Sequence, residues 1–293
     1  MVKTVSLLIP VAVEEEYLEE LLERVKSQRL PEGYVLEKIY VVGSRDVLNK
    51  LSGEKVEVIV EGERKGKSHA INLFLKKTSS EILIIQNADV LPIENTYYEL
   101  LKPFEDPEVG LVGGRAVPMN KPTLLNLFGR SIWHLHHVLN KDMPPKVGEI
   151  IAFRNVIEEI PEESPVDEET ICALIQKLGF KAVYAPNAIV YNKVPETIGE
   201  LVNQRKRIFV GHLWLKKKLG YTTPTLNWKR LGKTILSEMV HHPRKIITLL
   251  PVILFELSIR FLGLIEFYIE KKDYHKWRQL PSTKRLFDEA EEV

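Results

Sequence analysis

Apolar and polar positions alternate in short blocks along the first 190 residues. Residues 5–10 form an apolar run closed by a proline, which predicts a strand. In residues 14–28, Leu18, Leu21, Leu22 and Val25 recur at spacings of three and four, the period of a helix with one buried face. Residues 39–42 and 56–60 are β-branched and aromatic, as strands are. Residues 67–77 predict a helix with Ile71, Phe74 and Leu75 inward. Residues 82–85 are wholly apolar, the pattern of a strand buried on both faces of a parallel sheet. A helix over 95–102 comes next, then a strand over 109–117 broken by Gly113 and Gly114, and a helix from Asp167 to Leu178. Strands alternating with helices imply right-handed crossovers and an open α/β sheet, mostly parallel.

After residue 190 the strand pattern stops. Residues 197–219, 228–241 and 245–269 read as helices, so the expected organisation is an α/β domain over 1–195 and a helical region over 196–293. Residues 246–269 are the one long apolar stretch. A spanning helix needs roughly 20 apolar residues. This stretch carries Glu256, Arg260, Glu266 and Pro251, and a central charge costs about 2.5–3.5 kcal/mol on insertion. At 100° per residue the three charges fall within an arc of roughly 120°. That suits a helix lying in a membrane interface, or packed on the protein, better than a lone span. Arg244, Lys245, Lys271 and Lys272 flank it and favour anionic headgroups. The expected location is the cytoplasmic face of the cell membrane, peripheral or weakly anchored, with a soluble cytoplasmic protein as the other option.

Composition narrows the classes. The chain has 293 residues, 44% hydrophobic and 28% charged, enough for one sizeable core and an appendage. Its net charge of +1 offers no global field for nucleic acid, which is not expected as a partner. Basic residues do cluster locally, in QRKRIFVGHLWLKKK at 204–218. The single cysteine, Cys172, excludes a disulfide framework and reads as a small core residue. The N-terminal apolar run is too short for a signal peptide and has no cleavage site.

In an open α/β sheet ligands bind beyond the carboxyl ends of the strands. The segments just past the first four predicted strands are PVAVEEE, GSRD, EGERKGKSHAIN and QNADV. They bring Glu14, Asp46, Arg64, Lys65, Lys67, Asn87 and Asp89 to one mouth. Carboxylates and cations beside glycine suit a nucleoside diphosphate with a hard divalent ion, Mg²⁺ or Mn²⁺. Asp89 is the candidate metal ligand, with Asn87 pointing the same way. Gly66 lets backbone approach a phosphate, and Ser68 can open a helix whose positive end favours anions. Asp167 and Glu168, in VDEET, are candidates for a general base. Gln204 and Arg207 share a helical face, and an arginine suits a pyrophosphate leaving group. Each signal also has a plainer reading: a strand-ending turn, a solvated basic loop, helix-capping acids, an exposed basic face.

Order and spacing together are more specific. VSLLIPVAVEEEYLEELLERVKSQ, GKSHAINLFLKKTSSEILIIQNADVLP, GLVGGRAVP, GEIIAFR and APNAIVYNKVPETIGELVNQRKRIFVGH resemble, in that order, the successive motifs of glycosyltransferase family 2. That inverting group includes cellulose and hyaluronan synthases and dolichyl-phosphate sugar synthases. The resemblance covers roughly residues 3–215. It implies a GT-A fold, a nucleoside-diphosphate sugar as donor, a divalent cation, and a lipid-linked or glycan acceptor. By position it assigns Asp89 to the metal-binding aspartate of D-x-D, Lys67 to the G-K loop, Glu14 to the nucleoside, and Gln204 and Arg207 to Q-x-x-R. The sequence departs from the pattern at Val13, at Gly43 where an aspartate reads the base, at Asn87 for the first acid of D-x-D, at Asp167-Glu168 for an E-D pair, and at Ile208 for a tryptophan. These departures point to altered donor choice. The rival readings are a nucleotidyltransferase and a non-catalytic nucleotide-binding or scaffold subunit.

Overall fold

A computed structural model describes residues 2–12, 18–45, 56–62, 65–121, 123–141, 144–270 and 281–283. Four strands, β1 (Lys3–Val11), β2 (Tyr34–Ser44), β3 (Val56–Glu61) and β4 (Ile82–Gln86), pair in parallel. Beyond β4 the direction changes. β7 (Ile150–Arg154) runs antiparallel both to β4 and to β6 (Val109–Pro118). β8 (Lys181–Asn192) is parallel to β6, and the short β5 (Leu91–Pro92) closes the edge antiparallel to β8. The full order is β3-β2-β1-β4-β7-β6-β8-β5.

Both faces of this sheet are covered, which is why its central strands read as unbroken apolar runs. Leu7, Ile9, Ile82 and Ile84 pack with α1 (Leu18–Lys26) and α3 (Thr96–Leu101). The alternate residues Leu8, Leu83 and Ile85 pack with α2 (Lys67–Lys77) and α5 (Asp167–Lys177). Leu18, Leu21, Leu22 and Val25 are all buried, as their spacing predicts. Cys172 is buried in the second cluster. One expectation changes: β6 runs through Gly113 and Gly114 with a register shift rather than breaking. The glycines make room there. A Cβ at 113 would meet Val147 at 2.7 Å, and one at 114 would meet Ile150 at 2.5 Å.

The remaining long helices are α4 (Leu124–Asn140), α6 (Ile198–Leu219), α7 (Trp228–His241) and α8 (Ile246–Ile265). Thr197 caps α6 by accepting from the Glu200 amide, and Gly220 ends it in the left-handed region at φ 71°. α8 lies close against α6, because a Cβ at Gly263 would come within 2.6 Å of the Phe209 ring. Its burial runs opposite to that of a water-soluble helix. The inward face carries Leu249, Val252, Ile259 and Gly263 together with Glu256 and Glu266. Arg205 grips Glu256 with two hydrogen bonds of 2.6 and 3.0 Å, and Lys206 bonds Glu266. Arg260 donates to the Thr225 carbonyl at 3.0 Å. The outward face, Ile247, Leu250, Leu254, Leu257, Phe261 and Tyr268, is apolar and 49–81% exposed.

Candidate active site

A cleft of about 540 Å³ opens at the carboxyl ends of the parallel strands. Lys67 opens α2, Asn87 and Asp89 come just after β4, Asp167 and Glu168 open α5, and Gln204 and Arg207 lie on α6. All seven line this one cleft. Lys65 is exposed and is not among the lining residues. Glu14, Asp46 and Arg64 lie outside the described residues.

Local structure holds these groups in place. Gly66 precedes α2 at φ 109°, a value open to glycine but costly for other residues, and no side chain caps the helix there. The start of α2 thus leaves its first-turn amides without a side-chain cap, beside the cleft that Gly66 and Lys67 line. Ser68 sits inside the helix rather than before it, and its hydroxyl donates to Asp167. Asn72, four residues on, exchanges hydrogen bonds with the backbone of Ile160 at 2.9 and 2.8 Å and so tethers the segment that leads to α5. Gly43, where an aspartate would read the base, is sterically required. A Cβ there would stand 2.5 Å from the Val11 carbonyl oxygen.

The charges form a connected set. Lys67 Nζ donates to Asn87 Oδ1 at 2.5 Å and to Glu168. Asn87 Nδ2 donates to Glu149 Oε2 at 2.8 Å. Arg207 donates to the Pro165 carbonyl at 2.9 Å. Burial pushes the Asp167 carboxyl up against the pull of Lys67. Burial also works to raise Glu168, yet the Lys67 ammonium holds it below its ordinary value. For Lys67 itself, the charges of Glu168 and Asp167 outweigh burial and carry it upward, so it stays an ammonium. Deeper in the cleft, burial and the neighbouring cations hold His136 and His212 well below the usual imidazole range, and both are neutral near pH 7.

Residues 6–154 match the family model described as glycosyl transferase family 2, and residues 82–269 match the one described as glycosyl transferase family group 2. The chain belongs to glycosyltransferase family 2. This glycosyltransferase shares its architecture with the mannosyltransferase PcManGT from Pyrobaculum calidifontis, solved in complex with GDP-Man and Mn²⁺. The TM-score is 0.64 over 93% of this chain and 89% of that one, at 18% sequence identity. At that identity the likeness establishes the fold, the GT-A fold of nucleotide-sugar-binding transferases. As 548 solved chains match the fold, it selects neither sugar nor acceptor. No individually curated protein matches the chain in sequence.

The glycosyltransferase cleft also contains residues that the strand-end rule does not reach: Glu149, Lys146, Glu169, Trp133, His136 and His212. Glu149 precedes β7, and because β7 runs antiparallel its beginning lies at the carboxyl rim, with Ile150 opposite Gln86. Burial, then the charge of Asp89, pushes the Glu149 carboxyl up to about 7. Its φ of 56° is the single positive value at a non-glycine residue among the described residues. Backbone held this way costs about 1–3 kcal/mol. The GEIIAFR motif does show a Gly-Glu step before an apolar strand, but nothing local says which way the strand runs.

The donor set fits a divalent cation that arrives with its substrate. Among the described residues no three His, Cys, Asp or Glu side chains gather into a metal site. A Mg²⁺-like ion needs only one or two carboxylates when phosphate oxygens complete its shell. Asp89, just after β4, and Glu149, whose carboxyl feels the Asp89 charge, are two such carboxylates lining the cleft.

Proposed function

We propose that this glycosyltransferase moves a sugar, with inversion at the anomeric carbon, from a nucleoside-diphosphate sugar to a lipid-linked or glycan acceptor at a membrane surface. The observation that carries this reading is the convergence of Asp89, Lys67, Glu168 and Arg207 in one cleft. The solved structure of like fold, bound to GDP-Man and Mn²⁺, supports the same donor class.

In this reading Lys67 and Arg207 face the diphosphate and offset the charge that grows on it as the glycosidic bond breaks. Glu168, the more exposed of the two acids, takes the proton of an acceptor hydroxyl. Asp167, buried and held by Ser68, keeps the charge balance around Lys67. An acceptor phosphate would attack without a base. Gln204 lies on the Arg207 side and orients the donor. Asp89 would hold Mg²⁺ or Mn²⁺, whose chemistry is charge neutralisation of the leaving diphosphate.

The membrane part of the proposal rests on α8. The segment Pro243–Glu270 is long and apolar enough to cross a bilayer, with a mean hydropathy of 2.0 over its best window. Only 22% of that window is buried, too little for the core helix of a soluble protein. Its acids Glu256 and Glu266 are bonded by α6 and Arg260 by the Thr225 carbonyl, while Arg244, Lys229 and Lys233 are exposed nearby. A helix lying in the headgroup region of an anionic leaflet, on the cytoplasmic face, fits this arrangement.

The test is a transfer assay with GDP- and UDP-sugars, with and without Mn²⁺, scored by which nucleotide product appears. Release of nucleoside diphosphate that depends on an acceptor supports the reading. Release of pyrophosphate, or of nothing under any donor, overturns it. Arg207→Ala should lower kcat about 10²–10³-fold.

A further inference from the structure

Family 2 members carry an acid at the position of Asn87, and this chain does not. The structure shows what the amide does instead. Asn87 uses both ends of its side chain: Oδ1 accepts from Lys67 and Nδ2 donates to Glu149 Oε2 at 2.8 Å. Its backbone N–H donates to the Glu149 carbonyl at 2.9 Å. Asn87 thus holds Glu149 by backbone and by side chain at once. An aspartate at 87 has no N–H to donate to Glu149 Oε2 and would repel it, so the amide at 87 and the carboxylate at 149 form a matched pair.

The backbone of Glu149 points to the same conclusion. Ile150 N–H donates to the Gly148 carbonyl at 2.6 Å around a residue at φ 56°. This is a γ-turn of the rare, strained kind. Glycine adopts such a φ freely, and glutamate does not. Strained backbone of this sort concentrates at functional sites. The turn places Glu149 beside residue 87, at the rim that also carries Asp89, and its side chain lines the cleft.

We propose that Glu149 supplies the second carboxylate of the divalent-cation site, in place of the acid missing at residue 87, with Asn87 as its positioning residue. The inference rests on the metal-dependent reading above. It adds that the site has two carboxylates, one just past the end of β4 and one at the start of β7.

The experiment is calorimetric titration of Mn²⁺ into the full chain with saturating GDP or UDP, paired with thermal melts without metal. Glu149→Gln keeps an oxygen to accept from Asn87 and removes the charge. Mn²⁺ affinity should fall about 10–100-fold, while nucleotide affinity without metal does not fall. Glu149→Gly relieves the turn, so its melting temperature should equal or exceed that of the parent while Mn²⁺ affinity falls as far. Asn87→Asp combined with Glu149→Gln returns the carboxylate to residue 87 and should recover most of the lost affinity. Unchanged Mn²⁺ affinity in both single variants overturns the proposal and leaves the metal-dependent reading standing. A melting temperature that drops in both, with Mn²⁺ binding intact, assigns Glu149 a structural role instead. Failure of the double variant to recover Mn²⁺ binding overturns the replacement of residue 87. A parent chain that binds no Mn²⁺ beside nucleotide overturns this proposal and metal dependence together.

Discussion

Two regions of this molecule bury charge, and they do it differently. In the helical layer, two cations on α6 each pair with one acid: Arg205 with Glu256, Lys206 with Glu266. In the cleft, Asp89, Glu149, Asp167, Glu168 and Glu169 share one hollow with Lys67, Lys146, Arg207 and Arg205, and burial, with like charge, pushes Glu149 and Asp167 up. Matched pairs close an interface. Charges of both signs gathered around open volume are poised for a ligand that brings its own charge. α8 turns its acids inward and leaves an outer face rich in exposed apolar side chains, whereas the sheet buries apolar residues on both faces.

The comparison can be broken in several places. The largest expected effect is Asp89→Ala, which should lower transfer by at least about 10³-fold, as losing several kcal/mol of charge stabilisation implies. Its melting temperature should stay near the parent value. If instead the protein melts early and residual turnover is normal, Asp89 belongs to the scaffold. Next is Glu256→Ala, which strands Arg205, only 11% exposed, without its counter-ion. Breaking one side of such a pair costs about 3–5 kcal/mol, to be read in denaturant melts. Loss of nucleotide binding at full stability would erase the distinction between the regions.

Leu254→Asp with Phe261→Asp acts on the outer face, where the two side chains are 58% and 65% exposed. Burying each would be worth about 1.5–3 kcal/mol. The double variant should leave anionic vesicles in flotation assays while keeping its melting temperature. Continued flotation would move the membrane contact elsewhere.

The smallest effect is at Glu169, whose carboxyl burial raises from 4.5 to about 7. Between those values the folded chain keeps a proton that the unfolded chain releases, so stability falls as pH rises from about 4.5 to 7 and is flat beyond. Glu169→Gln lacks that slope. It should gain roughly 1–3 kcal/mol over the parent at pH 8 and nothing at pH 4. Parallel pH profiles would show that Glu169 is charged in both.

Much of this is legible in the sequence because the signals are local. The helix over 67–77 appears with those limits, set by Gly66 at one end and the extended Thr78 at the other. The acids of VDEET open a helix, as their affinity for its positive end predicts. Lys67, Asn87 and Asp89 stand out by their places just beyond strands, and Gln204 and Arg207 by their shared helical face. The features that are not legible depend on direction and distance. IIAFR reads the same whether its strand is parallel or antiparallel, so Glu149, before it, gives no local sign of the rim it reaches. Lys146, Glu169 and His212 come to the cleft from three separate segments with no shared motif. The arc of Glu256, Arg260 and Glu266 is visible as an arc, but the pattern leaves open whether it faces water or protein. The partners that decide it, Arg205 and Lys206, lie 51 and 60 residues earlier.

α6 belongs to both regions. Arg205 and Lys206 bond to α8, and Arg207, on the next position, bonds to Pro165 beside Asp167. Two packed helices, α8 and α6, each about 10 Å across, thus stand between the apolar outer surface and the cleft. For an acceptor anchored by a greasy tail, that thickness would set the reach its head group needs to meet a donor in the cleft.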